Sequence, residues 1–409
     1  METLFLCHRI PFPPDRGDKI RSYHVLRRLA RLGPVHLATF TDDDADGPAE
    51  AQLACITASQ CVVERTKPLW LAAGEALARR APVSLTAFRH QAIADYVRDT
   101  LKHRPIGAIY VFSGQMAQYV PADYAGRVVV DFVDVDSAKF EAYGAAKRGP
   151  RGWIDRREGR LLRREEARAS RRAHASLLVS AQEAALFRDR LPVGADPLAV
   201  HAMVNGIDSA VFDPALVAPE PAMAAMGFPR IVFTGQMDYE PNIEACRRAA
   251  VAILPRIRAR WPEASFHIVG RNPAEPLRAL SGKGGVHVWG RVPDVRPWLA
   301  AADLALVPLR IGRGVQNKVL EAMAMALPVV LTPQAASGIA GCEGQDFAVA
   351  QSDAELAEAC LALLAEPGQA RAMGLAARRH VVRHASWEAA LAPLPDIVGA
   401  GNAGARSAA

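Results

Sequence analysis

The residues best suited to chemistry lie in RIGRGVQNKVLEAMAMALPVVLT, residues 310–332. A basic loop punctuated by Gly312 and Gly314 runs into a stretch rich in Leu, Glu, Ala and Met, all strong helix formers. Arg313 and Lys318 then stand near a helix N-terminus, where unsatisfied N–H groups and the helix dipole favour an anion. Gly314 and Asn317 flank them in the same loop. Lys318 and Glu321 are three residues apart, hence on one helix face. A fixed cation for phosphates, with a carboxylate one turn deeper to accept from two hydroxyls, would suit a nucleotide sugar. An exposed Lys–Glu pair, worth little, is the plainer reading, but it requires neither the two glycines nor the buried PVV strand that follows.

Other segments carry weaker signals. In VVVDFVDVDSAKF (128–140), Asp134 and Asp136 fall on the same side of an extended chain, as a shared cation would need. A polar substrate contact, or a loop capping a helix that starts at Asp136 or Ser137, fits as well. Gly17 precedes a helical pattern in PFPPDRGDKIRS (11–22), with Asp18 as a candidate N-cap, but no G-x-G-x-x-G is present. Gly270 and Gly290 each follow a short apolar run, so backbone there can approach a ligand. His8 and His201 fall at strand ends without a partner motif.

Those residues need elements to hold them. Strand-like runs at 2–8, 34–41, 106–113, 127–134 and 174–181 alternate with helical patterns, among them 20–33 and the Arg/Glu-rich 153–172. A second series holds strands at 230–237, 265–271, 285–292, 302–309, 328–332 and 346–350, with helices at 242–261 and within 315–326. The region 42–105 is helical in flavour. Strands alternating with helices predict parallel sheets covered on both faces, in two Rossmann-like domains.

The chain has 409 residues, half of them hydrophobic and 22% charged, which fits an ordered globular protein. Residues 147–172 hold eleven Lys/Arg against four Asp/Glu, while the whole chain carries only +6. The basic pI therefore describes one segment, a solvated face or a contact for anionic lipid, and nucleic acid is not expected as a partner. The six cysteines show no paired spacing, and no signal peptide or membrane span is expected, which points to a reducing cytoplasm.

VQNKVLEAMAMALPVV, FTGQMDYEPNIEA (233–245) and VNGID (204–208) resemble the motifs of retaining GT-B glycosyltransferases of family four. With PFPPDRGDKIRSYH (11–24) and DFVDVDSAKF (131–140), the chain resembles the exopolysaccharide sugar transferases associated with exosortase, or PEP-CTERM, systems. The resemblance implies an α/β GT-B fold, two Rossmann-like domains with parallel sheets facing across a cleft. The expected layout is an acceptor domain over 1–212, a linker over 213–228 and a nucleotide-sugar domain over 229–383. A helix over 384–398 would cross back to the first domain, and 399–409 would be a disordered tail.

It further implies a retaining hexosyltransferase acting on a growing exopolysaccharide or lipid-linked saccharide. Because the donor motif, with Arg313 and Lys318, lies far along the chain from Asp134 and Asp136, no metal or cofactor is expected, and the basic segment allows a place at the inner face of the cell membrane. Lys318 would contact the donor diphosphate and Glu321 the ribose. Gly235 would admit the sugar phosphates, and Arg291 and Val292 would face the base. Asp134 would stand in for the family's His-Asp pair. Arg313 replaces the first glutamate of E-x7-E, and Gln236 and Pro241 replace an Arg and a Lys. A non-catalytic GT-B binding protein and a nucleotide-sugar epimerase stay open as alternatives.

Overall fold

The computed structural model describes residues 1–401 apart from 15–16, 42–46, 147–148, 193, 195 and 312–314. Contacts divide the chain into two units: Met1–Asn205 together with the segment from Leu391, and Gly206–Ala390.

The first unit is built on a seven-stranded sheet in the order β3-β2-β1-β4-β5-β6-β7. Its strands are β1 (Glu2–Cys7), β2 (Val35–Thr41), β3 (Ser59–Glu64), β4 (Ile106–Phe112), β5 (Arg127–Val133), β6 (Ala175–Leu178) and β7 (Val200–Ala202). Every pairing is parallel. The central strands are near-continuous apolar runs because helices cover both faces, as the burial of Leu4, Phe5, Leu6, Ile109, Val111, Val129 and Val130 shows. β3 lies in the 42–105 region that reads as helical. Its residues are only half-buried at the sheet edge, so SQCVVE carries a weak alternation signal.

The second unit holds a six-stranded parallel sheet in the order β10-β9-β8-β11-β12-β13. The strands are β8 (Arg230–Thr234), β9 (Ser265–Val269), β10 (Val286–Gly290), β11 (Leu304–Val307), β12 (Val329–Leu331) and β13 (Ala348–Val349). Asp303 pins the start of β8 to that of β11. It accepts from the Arg230 backbone N–H at 2.8 Å and from the guanidinium at 2.9 Å. The helix expected over 242–261 begins at Glu240 and widens into a π-turn at Ala249–Ile253, just before Pro255. Pro255 has no N–H to donate to an i−4 carbonyl, which accounts for the break in the α-ladder. Ser352 and Glu355 form a reciprocal capping box at the start of Asp353–Ala365. Pro214–Leu216 and Pro221–Ala224 are short helical turns within the stretch that reads as a linker. In the second unit Ser386 pairs with Ile207, followed by the turn Trp387–Ala390. The turn Leu394–Ile397 belongs to the first, where Arg127 donates to the Ile397 carbonyl.

Each sheet order reverses once, between β1 and β4 in the first unit and between β8 and β11 in the second. In open α/β sheets a crevice forms outside the carboxyl ends of the strands at such a reversal. Both units therefore offer one.

Candidate active site

In the second unit the strands beside the reversal end in glycines. Gly235 follows β8 with φ +151°, and Gly270 follows β9 with φ +158°. A Cβ on Gly270 would sit 1.6 Å from the Gly235 carbonyl oxygen, so the two turns can lie this close only with glycine at 270. A Cβ on Gly235 would stand 3.2 Å from Lys318 Cε and 3.1 Å from Asn242 Nδ2. The bare backbone at 235 is what lets the lysine lie across the strand end.

Lys318 occupies the first turn of the helix Asn317–Ala324, which follows β11. Its ammonium donates to Asn242 Oδ1 at 2.7 Å and stands 4.9 Å from the centre of the Phe233 ring. Asn242, buried in the first turn of Glu240–Arg248, donates Nδ2 to the Gln236 carbonyl at 2.8 Å. That bond fixes the amide so that its oxygen faces Lys318. Burial lowers the Lys318 pKa to about 8, against the pull of Glu321 toward the charged form. Burial raises Glu321 to about 7, opposed by the Lys318 charge. Among the described residues no donor reaches the Glu321 carboxylate. The site thus holds a desolvated cation and, one turn on, a carboxylate with acceptor capacity to spare. That is chemistry for an anion joined to a diol.

The structure brings Gly235, Lys318, Glu321 and Asn317 together. Arg291 and Val292 follow β10, two strands away, the first exposed and the second packed half-buried on the core. Arg313 and Gly314 lie outside the described residues. Asn242 lies within the FTGQMDYEPNIEA motif, and its spacing there gives it no separate signal. A buried polar side chain in the first turn after a glycine-ended strand is the signal that would find it.

In the first unit, the reversal gathers His8 after β1, Ser113 after β4 and the start of the helix Gly17–Ala30. His8 stacks on Phe112 at 5.9 Å between ring centres, and its Nδ1 has no partner among the described residues. Asp18 falls in the first turn, where it pairs with Arg9 and lies 3.5 Å from His8 Nε2. Gly17 is exposed at the helix start. Ser113 (φ +76°) and Val133 (φ +68°) are held in the left-handed region, which costs a non-glycine residue about 1–3 kcal/mol. Beneath them Asp131 accepts from Arg21 Nε at 3.0 Å, Arg21 Nη2 at 3.2 Å, Tyr110 Oη at 2.9 Å and the Val133 N–H at 3.2 Å. Arg21 also donates to Asn205 at 2.9 Å. This buried network stabilises the turn that presents Asp134. Arg21 and Asp131 stand 110 residues apart, so sequence spacing alone gives no sign of the pair.

Asp134 and Asp136 do converge on one cation, but it is Lys139, 2.7 Å from the first and 3.3 Å from the second. Asp136 opens the helix Asp136–Ala146.

Residues 228–366 match the model of the family described as glycosyl transferases group 1. The span contains Gly235, Asn242, Gly270, Lys318 and Glu321. A curated relative, the alpha-maltose-1-phosphate synthase of Mycolicibacterium smegmatis, is 28% identical over 212 residues, 47% of this chain and 54% of its own. The chain thus spans about half the length of that relative. Among solved structures, HepE of Anabaena in complex with UDP superposes with a TM-score of 0.63, at 15% identity over 100% of both chains. The sucrose-phosphate synthase of Thermosynechococcus elongatus gives 0.61, at 16% identity over 97% of this chain and 98% of its own. The fold is GT-B. Both sheets and the alternating helices of the sequence reading follow that architecture.

Proposed function

We propose that the protein is a group 1 glycosyltransferase that moves a sugar from a nucleoside-diphosphate sugar to a saccharide or lipid-linked acceptor, with retention at the transferred carbon. Lys318 carries this reading. An ammonium desolvated against Phe233 and steadied by Asn242 interacts strongly with a phosphate that displaces the remaining water. When the bond between the sugar and the diphosphate breaks, negative charge grows on the departing oxygen. In this reading Lys318 and the N–H groups at the start of Asn317–Ala324 stabilise it. Glu321 accepts from the ribose hydroxyls, and the glycine turn at 235 leaves space for the phosphates.

Support also comes from the matched family over 228–366 and from HepE, which has been solved with UDP and with UDP-glucose. We assign the acceptor to the exopolysaccharide class at the cytoplasmic face of the cell membrane, and Asp134 to orienting the acceptor hydroxyl.

A thermal-shift panel of UDP-, GDP- and ADP-sugars tests the donor assignment. One class should raise the melting temperature, since ligand at 100 times its Kd adds about 2.7 kcal/mol of stability. No shift with any of the three overturns the donor reading. A shift without transfer or donor hydrolysis makes the protein a binder and not an enzyme.

Transfer should survive excess EDTA. Lys139 stands where a D-x-D pair would share a metal, and Lys318 is available to offset diphosphate charge. Asp134→Asn should lower turnover while leaving donor affinity within about twofold, the pattern of a group that acts on the acceptor alone. Activity lost in EDTA and restored by manganese or magnesium overturns both statements.

A further inference from the structure

The helix Leu69–Ala78 has its apolar side facing water. Trp70 is 74% exposed, Leu69 68%, Leu77 62% and Leu71 48%, whereas the buried positions are Ala72 and Ala76. Trp70, Ala73, Gly74 and Leu77 recur at helical spacing, so the outward face is an uncharged apolar stripe. Glu75, the helix's one acid, is engaged by Lys67 at 3.0 Å, Arg79 at 3.0 Å and Arg89 at 3.7 Å.

The long helix Pro150–Arg172 is anchored beside it. Arg157 donates to the Ala76 carbonyl at 3.1 Å and to Ala81 at 3.4 Å. Glu158 accepts from the Val83 and Ser84 N–H groups, each at 2.9 Å. Trp153, Arg157, Arg160, Leu161 and Arg164 line a groove together with Arg80.

Charge on the long helix is sorted by side. Glu158 and Glu166 are buried, the latter accepting from Ser137. Asp155 and Glu165 are half-covered, and the exposed charges are all arginines: 151, 156, 160, 163, 164, 168 and 171. Trp153 and Ile154 stand exposed among them.

We infer that Leu69–Ala78 and the arginine side of Pro150–Arg172 form one seat for an anionic phospholipid surface. Trp70 and Leu77 enter the headgroup–acyl boundary, and Arg80, Arg160 and Arg164 meet lipid phosphates. Charge complementarity selects this occupant. An apolar stripe rimmed by guanidinium groups, with the nearby acids buried or paired, matches a surface that is apolar below and negative above. The basic segment 147–172 read as a possible lipid contact supplies only the rim, and some of its arginines serve inside the fold. Arg172, for example, donates to Val120 and Pro121 carbonyls. The inference goes beyond the sugar-transfer reading and does not rest on it, because vesicle binding needs neither donor nor acceptor.

The test is co-sedimentation of the full chain with phosphatidylcholine vesicles and with phosphatidylcholine–phosphatidylglycerol vesicles. Preferential pelleting with the anionic vesicles is expected. The double variant Trp70→Ser/Leu77→Ser should bind them at least about tenfold more weakly, from the apolar area it withdraws. Arg160→Glu/Arg164→Glu should do likewise through charge. Both pairs are solvent-exposed, and unchanged circular dichroism and thermal melting will show that the variants fold. Equal binding to both vesicle types, no binding, or unchanged binding in both variants overturns the proposal. So does a concentration-dependent dimer that is abolished by Trp70→Ser/Leu77→Ser, which would make the stripe a self-association face.

Discussion

Lys318→Met should weaken binding of the nucleotide-sugar donor by about 10- to 150-fold, the loss of a charge-assisted contact worth about 1.5–3 kcal/mol. The same variant should be more stable than the parent. Burial depresses the Lys318 pKa from 10.5 to about 8. The unfolded chain therefore holds the extra proton between those values, and stability rises with pH across that window. Glu321 is raised from 4.5 to about 7, so here the folded chain holds the extra proton and stability falls as pH climbs between those values. The desolvation cost of the pair is greatest between pH 7 and 8, where both side chains are largely charged.

A methionine fills similar space without a charge and lets Glu321 stay protonated; after the cost of leaving the Asn242 oxygen without its donor, it should raise stability there by about 1 kcal/mol, or about 2–4 °C in Tm. The gain should fade above pH 8 and vanish near 10.5. Isothermal titration with the donor and melting scans across pH measure both effects. A threefold or smaller loss of affinity removes the phosphate role. A variant less stable than the parent at pH 7 removes the argument from stored desolvation. Trading stability for a preorganised charge is common at functional sites.

Asp131→Asn should be the most damaging substitution in the first unit. Arg21 is 1% exposed and Asp131 is fully buried, so removing the carboxylate charge strands a guanidinium out of reach of water. Breaking such a pair from one side costs about 3–5 kcal/mol. Tyr110 and the Val133 N–H lose their anionic acceptor in the same change. The melting temperature of this unit should fall by about 10 °C, taking 2–4 °C per kcal/mol for domains of this size. Turnover should fall further than donor affinity, because the strained turn at Val133 that carries Asp134 loses its support. Differential scanning calorimetry with donor titration checks both. A drop of under 2 °C, roughly half a kcal/mol on the same scale, would show that the network contributes little.

The region 42–105 shows where local sequence stops being informative. SQCVVE pairs with β2 at a sheet edge, and its half-burial blurs the alternation that marks a strand. The apolar run LWLAAGEALA forms a helix as its composition suggests, but its periodicity points the large side chains outward. Only the neighbours reveal that orientation, because Ala72 and Ala76 are the positions small enough to lie against the domain.

The alternation of strands and helices was legible from the residues alone. Apolar strands such as TLFLC and IVFTG, separated by helical patterns, leave little choice but parallel sheets with helices on both faces, because each strand must bury both sides. The three-residue spacing of Lys318 and Glu321 likewise follows from helix geometry alone. Which distant groups meet depends on how the elements pack. The strand orders put the end of β8 beside that of β11, and so Asn242 against Lys318 across 76 residues. Folding likewise brought Arg21 to Asp131, and gave Lys139 to the two aspartates that the sequence offered to a metal. Periodicity records only which face of its own element a side chain occupies. The partner on the facing element is set by strand order and burial, which belong to the whole chain.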